Sequence, residues 1–285
     1  MTLPADRRSL AVRGMGTHGA RRLRARATAL AGLIIVITGA TWAQKVHFVA
    51  EGKDDVLRRV NTVPASDEER AAQIKKWFSD AGCVGRFLRE QPVEGRTTPN
   101  IVCELPGRGD ENVIVASPYD LRPGDTWSGA SLLPALYQCL RSKGRQHHFM
   151  FVAFADGGAA SFAEHLSAAE LEHTSAVVHL GVLGLSPTKI WTSHSDKDLV
   201  HDLMVMAYAL KLPASQVDLQ NSGSENSGPF AERQVPQITI HSLTRANLDH
   251  RATPFQSGSY YDTYRLLCGY LAYLDTILKP RLRTP

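Results

Sequence analysis

Cysteine is scarce in this 285-residue chain: Cys83, Cys103, Cys139 and Cys268 are the only four, with no CxxC pair and no Cys/His cluster. That spacing excludes a structural zinc site built on thiolates. Internal repeats and low-complexity linkers are also lacking, which excludes a solenoid or a string of small modules. Gly157-Gly158, followed by Ala159-Ala160-Ser161, looks like a phosphate-cradling turn. It has neither the rest of a Gly-x-Gly-x-x-Gly fingerprint nor a Walker lysine. Ser128 stands between Trp127 and Gly129, outside any Gly-x-Ser-x-Gly elbow, so no serine-hydrolase signature is present. An excess of one charge is missing as well. The formal +4 comes from the first 43 residues, which hold seven arginines (Arg7, Arg8, Arg13, Arg21, Arg22, Arg24, Arg26) and one acid, Asp6. Taking those from 32 Lys+Arg and 28 Asp+Glu leaves the remainder at a net −2, and no nucleic-acid surface is expected.

What is present is an ordinary globular composition, 43% hydrophobic and 21% charged, on a chain long enough to bury a sizeable core. The arginine-rich start precedes an apolar run, Ala27 to Ala43, ending in Thr41-Trp42-Ala43. This is the order of a signal peptide, so residues 1–43 are expected to be cleaved after Ala43, leaving a mature chain near Gln44. The alternative is an uncleaved inner-membrane anchor, since the run of 17 residues reaches the lower limit for a bilayer span. Arg21-Arg22 hints at twin-arginine export, and Met15 is a second possible start. Either way the expected location is periplasmic or secreted. Any membrane contact is through the N-terminal segment alone. In that setting four cysteines allow two disulfides in three connectivities; buried thiols are the simpler reading for Cys139 and Cys268, which lie among leucines in helical patterns.

Residues 44–285 read as a single α/β domain. Ser66 and Glu69 form a capping box, and Ala71, Ile74, Phe78 and Ala81 repeat at helical spacing as far as Gly82. Val84 to Leu88 and Asn100 to Leu105 read as strands around a turn at Gly95. Asn112 to Ser117, His148 to Phe154 and Ala176 to Leu183 are nearly continuous apolar runs, the pattern of strands covered on both faces. Helical patterns occupy Leu132–Leu140, Ala159–Leu171 and Leu199–Leu210. A polar loop from Gln220 to Gly228, a strand from Val235 to His241 and a closing helix from Tyr260 to Leu278 complete the chain. The fold class is therefore α/β: a mixed, mainly parallel central sheet with helices on both faces and antiparallel early strands.

Binding sites in such sheets lie beyond the C-terminal strand ends. Three ends should converge here: Asp120 and Asp125 after the first central strand, Asp156-Gly157-Gly158 after the second, and Gly181 to Gly184 after the third. Asp120 and Asp125 also suit turn chemistry around Arg122-Pro123-Gly124. His179 reads as a core histidine within an apolar strand, and the pair His147-His148 as a solvated strand entry.

The segments NIVCELPG, NVIVASPYD, PGDTWSG, FVAFADGG, VVHLGVLG and VPQITI, taken in order, resemble the zinc aminopeptidases of metallopeptidase family twenty-eight. Relatives in that group include glutaminyl cyclase and the transferrin-receptor ectodomain. The resemblance implies a zinc-peptidase fold (phosphorylase/hydrolase-like) and covers nearly all of residues 44–285. It places a histidine ligand where this chain has Pro118, keeps an aspartate at Asp120, and sets the bridging aspartate at Asp125. A Glu-Glu pair, general base and ligand, falls on Gly157-Gly158. A ligand aspartate falls on Gly181, and the last histidine corresponds to His250. Asp125 and His250 are thus the candidate metal ligands, and Asp120 is a vestigial catalytic position.

A catalytic zinc needs about three protein ligands and an open water position, and hydrolysis needs a base. The expectation is a catalytically degenerate domain that binds or scaffolds, with no cofactor and with a peptide, protein or small molecule in the crevice. The alternative is an active zinc hydrolase that uses a remodelled cluster of Asp120, Asp125, Asp156, His179 and His250. Glu164 and Glu225 are lesser candidates for a missing carboxylate. Glu164 reads as a helix-surface residue and Glu225 as part of the polar loop.

Overall fold

The computed structural model describes residues 46–120, 127–218, 228–244 and 253–278. Within them the chain opens with two helices, α1 (Lys53–Asn61) and α2 (Asp67–Asp80). Ser66 caps α2 by accepting from the Glu69 amide, as its sequence pattern predicts. The Glu69 carboxylate reaches one residue further back than in a standard capping box, to the Ala65 amide at 2.9 Å.

Eight strands form one sheet: β1 (Leu88–Gln91), β2 (Asn100–Leu105), β3 (Asn112–Pro118), β4 (His148–Phe154), β5 (Thr174–Leu180), β6 (Thr188–Trp191), β7 (Ala214–Val217) and β8 (Gln237–His241). Their spatial order is β1-β2-β4-β3-β5-β8-β6-β7. β1, β2 and β4 pair antiparallel, while β4, β3, β5 and β8 run parallel. This is the predicted mixed sheet with a parallel centre. β6 and β7 were not evident in the sequence, and β1 begins where a strand was expected to end. Gly85, at φ 62°, turns Gly85–Phe87 into a 3-10 segment instead.

Helices cover both faces. The short α3 (Trp127–Ala130) leads into α4 (Leu133–Arg141). α5 (Gly158–His165) and α6 (Ala168–Glu172) replace the single helix expected over Ala159–Leu171, because Ser167 forms a full capping box with Glu170 and starts a new helix. α7 (Lys197–Leu210), α8 (Gly228–Ala231) and the long α9 (Ser257–Ile277) follow. Alternate residues of β3 serve opposite faces: Val113 and Val115 join the core under α2, α4, α7 and α9, and Ile114 and Ala116 join the one under α5 and α8.

Two covalent and polar ties hold the periphery. Cys83, just beyond α2, forms a disulfide with Cys103 in β2, and Cys139 and Cys268 remain buried thiols. Asp275 near the end of α9 accepts from the backbone amides of Gln146 and His147, each at 2.9 Å, and lies against Arg145. His147 is therefore buried, contrary to the solvated entry expected, with its Nδ1 at 3.2 Å from the Asp275 carbonyl. Among the described residues no helix is long and apolar enough to cross a membrane.

Candidate functional site

The parallel register puts Pro118 of β3 beside Phe154 of β4, and Ala116 beside His179 of β5. The residues following these strands therefore gather at one edge of the sheet, over β3. Asp120 is there and is almost fully buried. The Arg70 guanidinium, also buried, donates to the carbonyls of Tyr119 and Asp120 at 3.0 and 3.1 Å and lies over the Trp127 ring. Asp125 and His250, the two candidate metal ligands, lie outside the described residues, as does Glu225.

The Gly157-Gly158 turn has a clear physical reason for its composition. Gly157 is left-handed, φ 70°, at the N-terminal boundary of α5, a conformation that L side chains rarely adopt. A Cβ added to Gly158 would overlap Asn100 Oδ1. Asn100 is fully buried and its amide is fully used. Its Oδ1 accepts from the Ala155 amide at 3.0 Å, and its Nδ2 donates to Gln91 Oε1 at 3.0 Å and to the Gly158 carbonyl at 2.9 Å. The turn that would carry a base and a ligand is instead fastened to β2 by the Asn100 side chain, which fills the space a side chain at 158 would need.

The remaining members of the proposed remodelled cluster point elsewhere. Asp156 pairs with Arg96 at 2.5 Å at a partly exposed position. His179 is buried within β5 against Phe230, at 5.7 Å between ring centres, and burial depresses it to about 4, an effect Gln237 only partly offsets. That is the core histidine its sequence setting predicts. Glu164 is exposed on α5. Among the described residues no three His, Cys, Asp or Glu side chains come together as metal ligands.

Ser128 is also accounted for structurally. Its Oγ accepts from the Leu183 amide at 2.8 Å, and its carbonyl accepts from Tyr260 Oη at 2.8 Å. Gly129 packs against Ser117 and the Leu180 and Gly181 carbonyls so closely that a Cβ would collide with them. Gly181 differs: a Cβ there would make only ordinary contacts, with His241 Cβ at 3.5 Å and the Ile240 carbonyl at 3.7 Å. His241, fully buried at the end of β8, was not singled out by sequence; an apolar strand ending in one histidine carries no distinctive spacing.

Away from the strand ends, a cleft of about 820 Å³ lies between α1, α2 and α4. Its charges are largely paired with one another, Arg59 with Glu51 and Lys76 with Asp80.

The chain is similar in structure to several solved proteins. Against the LapA aminopeptidase of Legionella pneumophila the TM-score is 0.67 at 14% identity, covering 80% of this chain and 73% of that one. Against the Fimbriiglobus ruber glutaminyl cyclase it is 0.64 at 16% identity, covering 80% and 98%. This chain has the fold of the zinc aminopeptidases and glutaminyl cyclases. A zinc aminopeptidase from Bacillus subtilis, BSAP, matches at a TM-score of 0.54 and 16% identity, but this chain covers only 52% of its length. No protein-family model matches the sequence, and a comparison with curated protein sequences found no match. At these identities the likeness establishes the fold, and function must be argued from the site.

Proposed function

We propose that this chain is an exported peptidase-like domain that no longer hydrolyses and instead binds a ligand in the crevice at the strand ends. The observation that carries this reading is that glycine holds both positions of the turn after β4, one left-handed and the other packed against Asn100. Metal-assisted hydrolysis needs a carboxylate to take the proton from the attacking water. The turn where the resemblance expects that carboxylate has a left-handed glycine at 157 and no space for a side chain at 158. Neighbouring polar groups do not take over: Asp156 is held by Arg96, and His179 is enclosed in the core.

Loss of chemistry has left the frame intact. The eight strands, the buried Arg70 and the tightly packed Trp127–Ala130 segment still shape the strand ends, which supports retention of binding. Export is supported by the N-terminal sequence pattern and by the Cys83–Cys103 bridge, since disulfides persist in oxidising compartments.

The test is hydrolysis of aminoacyl-arylamides by the purified mature chain, alone and with added zinc. No turnover above the uncatalysed rate is expected. Turnover that disappears in Asp125→Ala would overturn the proposal in favour of a remodelled hydrolase.

A further inference from the structure

One face of the sheet, away from the α7–α9 side, is unusually polar where it passes from β5 to β6. The pairings set His179 beside Thr239 and Lys189 beside His241, so that His179, Gly181, Gln237, His241, Lys189 and Trp191 share this face. Four buried polar atoms lie on it: His241 Nε2 and Trp191 Nε1 have no hydrogen-bond partner among the described residues, and His179 Nε2 and Gln237 Oε1 have none beyond the interaction between those two side chains. Such groups cost free energy unless something else satisfies them.

Two of these atoms are donors of known identity. Indole Nε1 can only donate. His241 Nδ1 accepts from the Leu243 amide at 3.0 Å, which leaves the ring proton of the neutral imidazole on Nε2. The His241 and Trp191 rings meet edge-on, 5.9 Å between centres. Burial, reinforced by the nearby Lys189 charge, holds the His241 imidazole neutral. Beside His241, Gly181 contributes no side chain, and the space above its Cα admits one without collision.

We propose that the sheet face beside Gly181, where His241 and Trp191 carry these N–H groups, binds a carboxylate brought by the ligand. The inference rests on the reading of the strand-end crevice as a binding site, and it names what that site recognises. A carboxylate is an acceptor-only group that can take both N–H bonds at once, and the Lys189 charge offsets its own. A neutral carbonyl would accept the same bonds more weakly, and a cation would face Lys189 and two donors.

The experiment follows the Trp191 indole N–H resonance by NMR, assigned with Trp191→Phe, during titration with acetate, glycylglycine and glycylglycine amide. Saturable shifts with glycylglycine, and binding of the amide weaker by about tenfold or more, are expected. Binding by both acetate and the dipeptide marks a general carboxylate site, whereas the dipeptide alone marks a peptide C-terminus; either supports the proposal. Trp191→Phe keeps the ring and removes the donor, and should weaken glycylglycine by about tenfold, read from the His241 imidazole signals.

Gly181→Asp supplies the carboxylate internally. It should abolish ligand binding and raise Tm by about 2–4 °C over the isosteric Gly181→Asn. Equal binding of acid and amide, no binding of either carboxylate, or a Gly181→Asp protein no more stable than Gly181→Asn would each overturn the inference. None of those results would revive hydrolysis, which is measured separately, so the two readings fail independently.

Discussion

The amide of Asn100 stands where a side chain on Gly158 would begin, and it binds the Gly158 carbonyl and the Ala155 amide as well. This single residue of β2 therefore both fixes the turn after β4 and occupies the space that a side chain at 158 would need.

Restoring the expected acids should not restore chemistry. Gly157→Glu combined with Gly158→Glu introduces a non-glycine residue at φ 70° and forces Asn100 out of its bonds. A loss of about 3 kcal/mol or more in unfolding free energy is expected, with no gain of arylamide hydrolysis. Chemical denaturation and a rate assay check the two halves.

Asn100→Ala probes the same joint from the other side. It leaves the Ala155 amide, the Gly158 carbonyl and Gln91 without their buried partner. A destabilisation of about 2–4 kcal/mol is expected from urea unfolding, against less than ~1 kcal/mol for the exposed control Glu164→Ala.

Acid should weaken the fold over a defined window. His179 and His241 are each pushed down to about 4 from an ordinary value of 6.5, chiefly by burial. The unfolded chain therefore binds protons that the folded chain refuses. Stability is full above about pH 6.5 and falls as pH drops toward 4. Unfolding free energies measured from pH 7.5 to 4.5 should decline accordingly, and His179→Phe should flatten part of that decline.

Thiol counting should separate the four cysteines cleanly. The native protein is expected to show no reactive thiol, because Cys139 and Cys268 are buried. Unfolding without reductant should reveal two. Reducing Cys83–Cys103, which closes a loop of 20 residues, should cost about 3 kcal/mol.

Much of the architecture was legible because it is written in local patterns. The Ser66 cap, the apolar runs of β3, β4 and β5, and the closing helix each carry their own periodicity. β6 and β7 are four residues each, too short to carry any. The break between α5 and α6 was readable at Ser167 and Glu170, but the surrounding helical spacing masked it. At the site, the glycines at 157, 158 and 181 were visible as departures from a resemblance. Their reason was not, because Asn100 lies 58 residues from Gly158 in sequence. The donors of His241 and Trp191 likewise come together only through the antiparallel pairing of β6 with β8.

The most direct test is metal analysis of the protein purified without chelator and then exposed to zinc. No stoichiometric zinc should be retained after buffer exchange. One or more zinc ions held per chain, lost in Asp125→Ala, would contradict it.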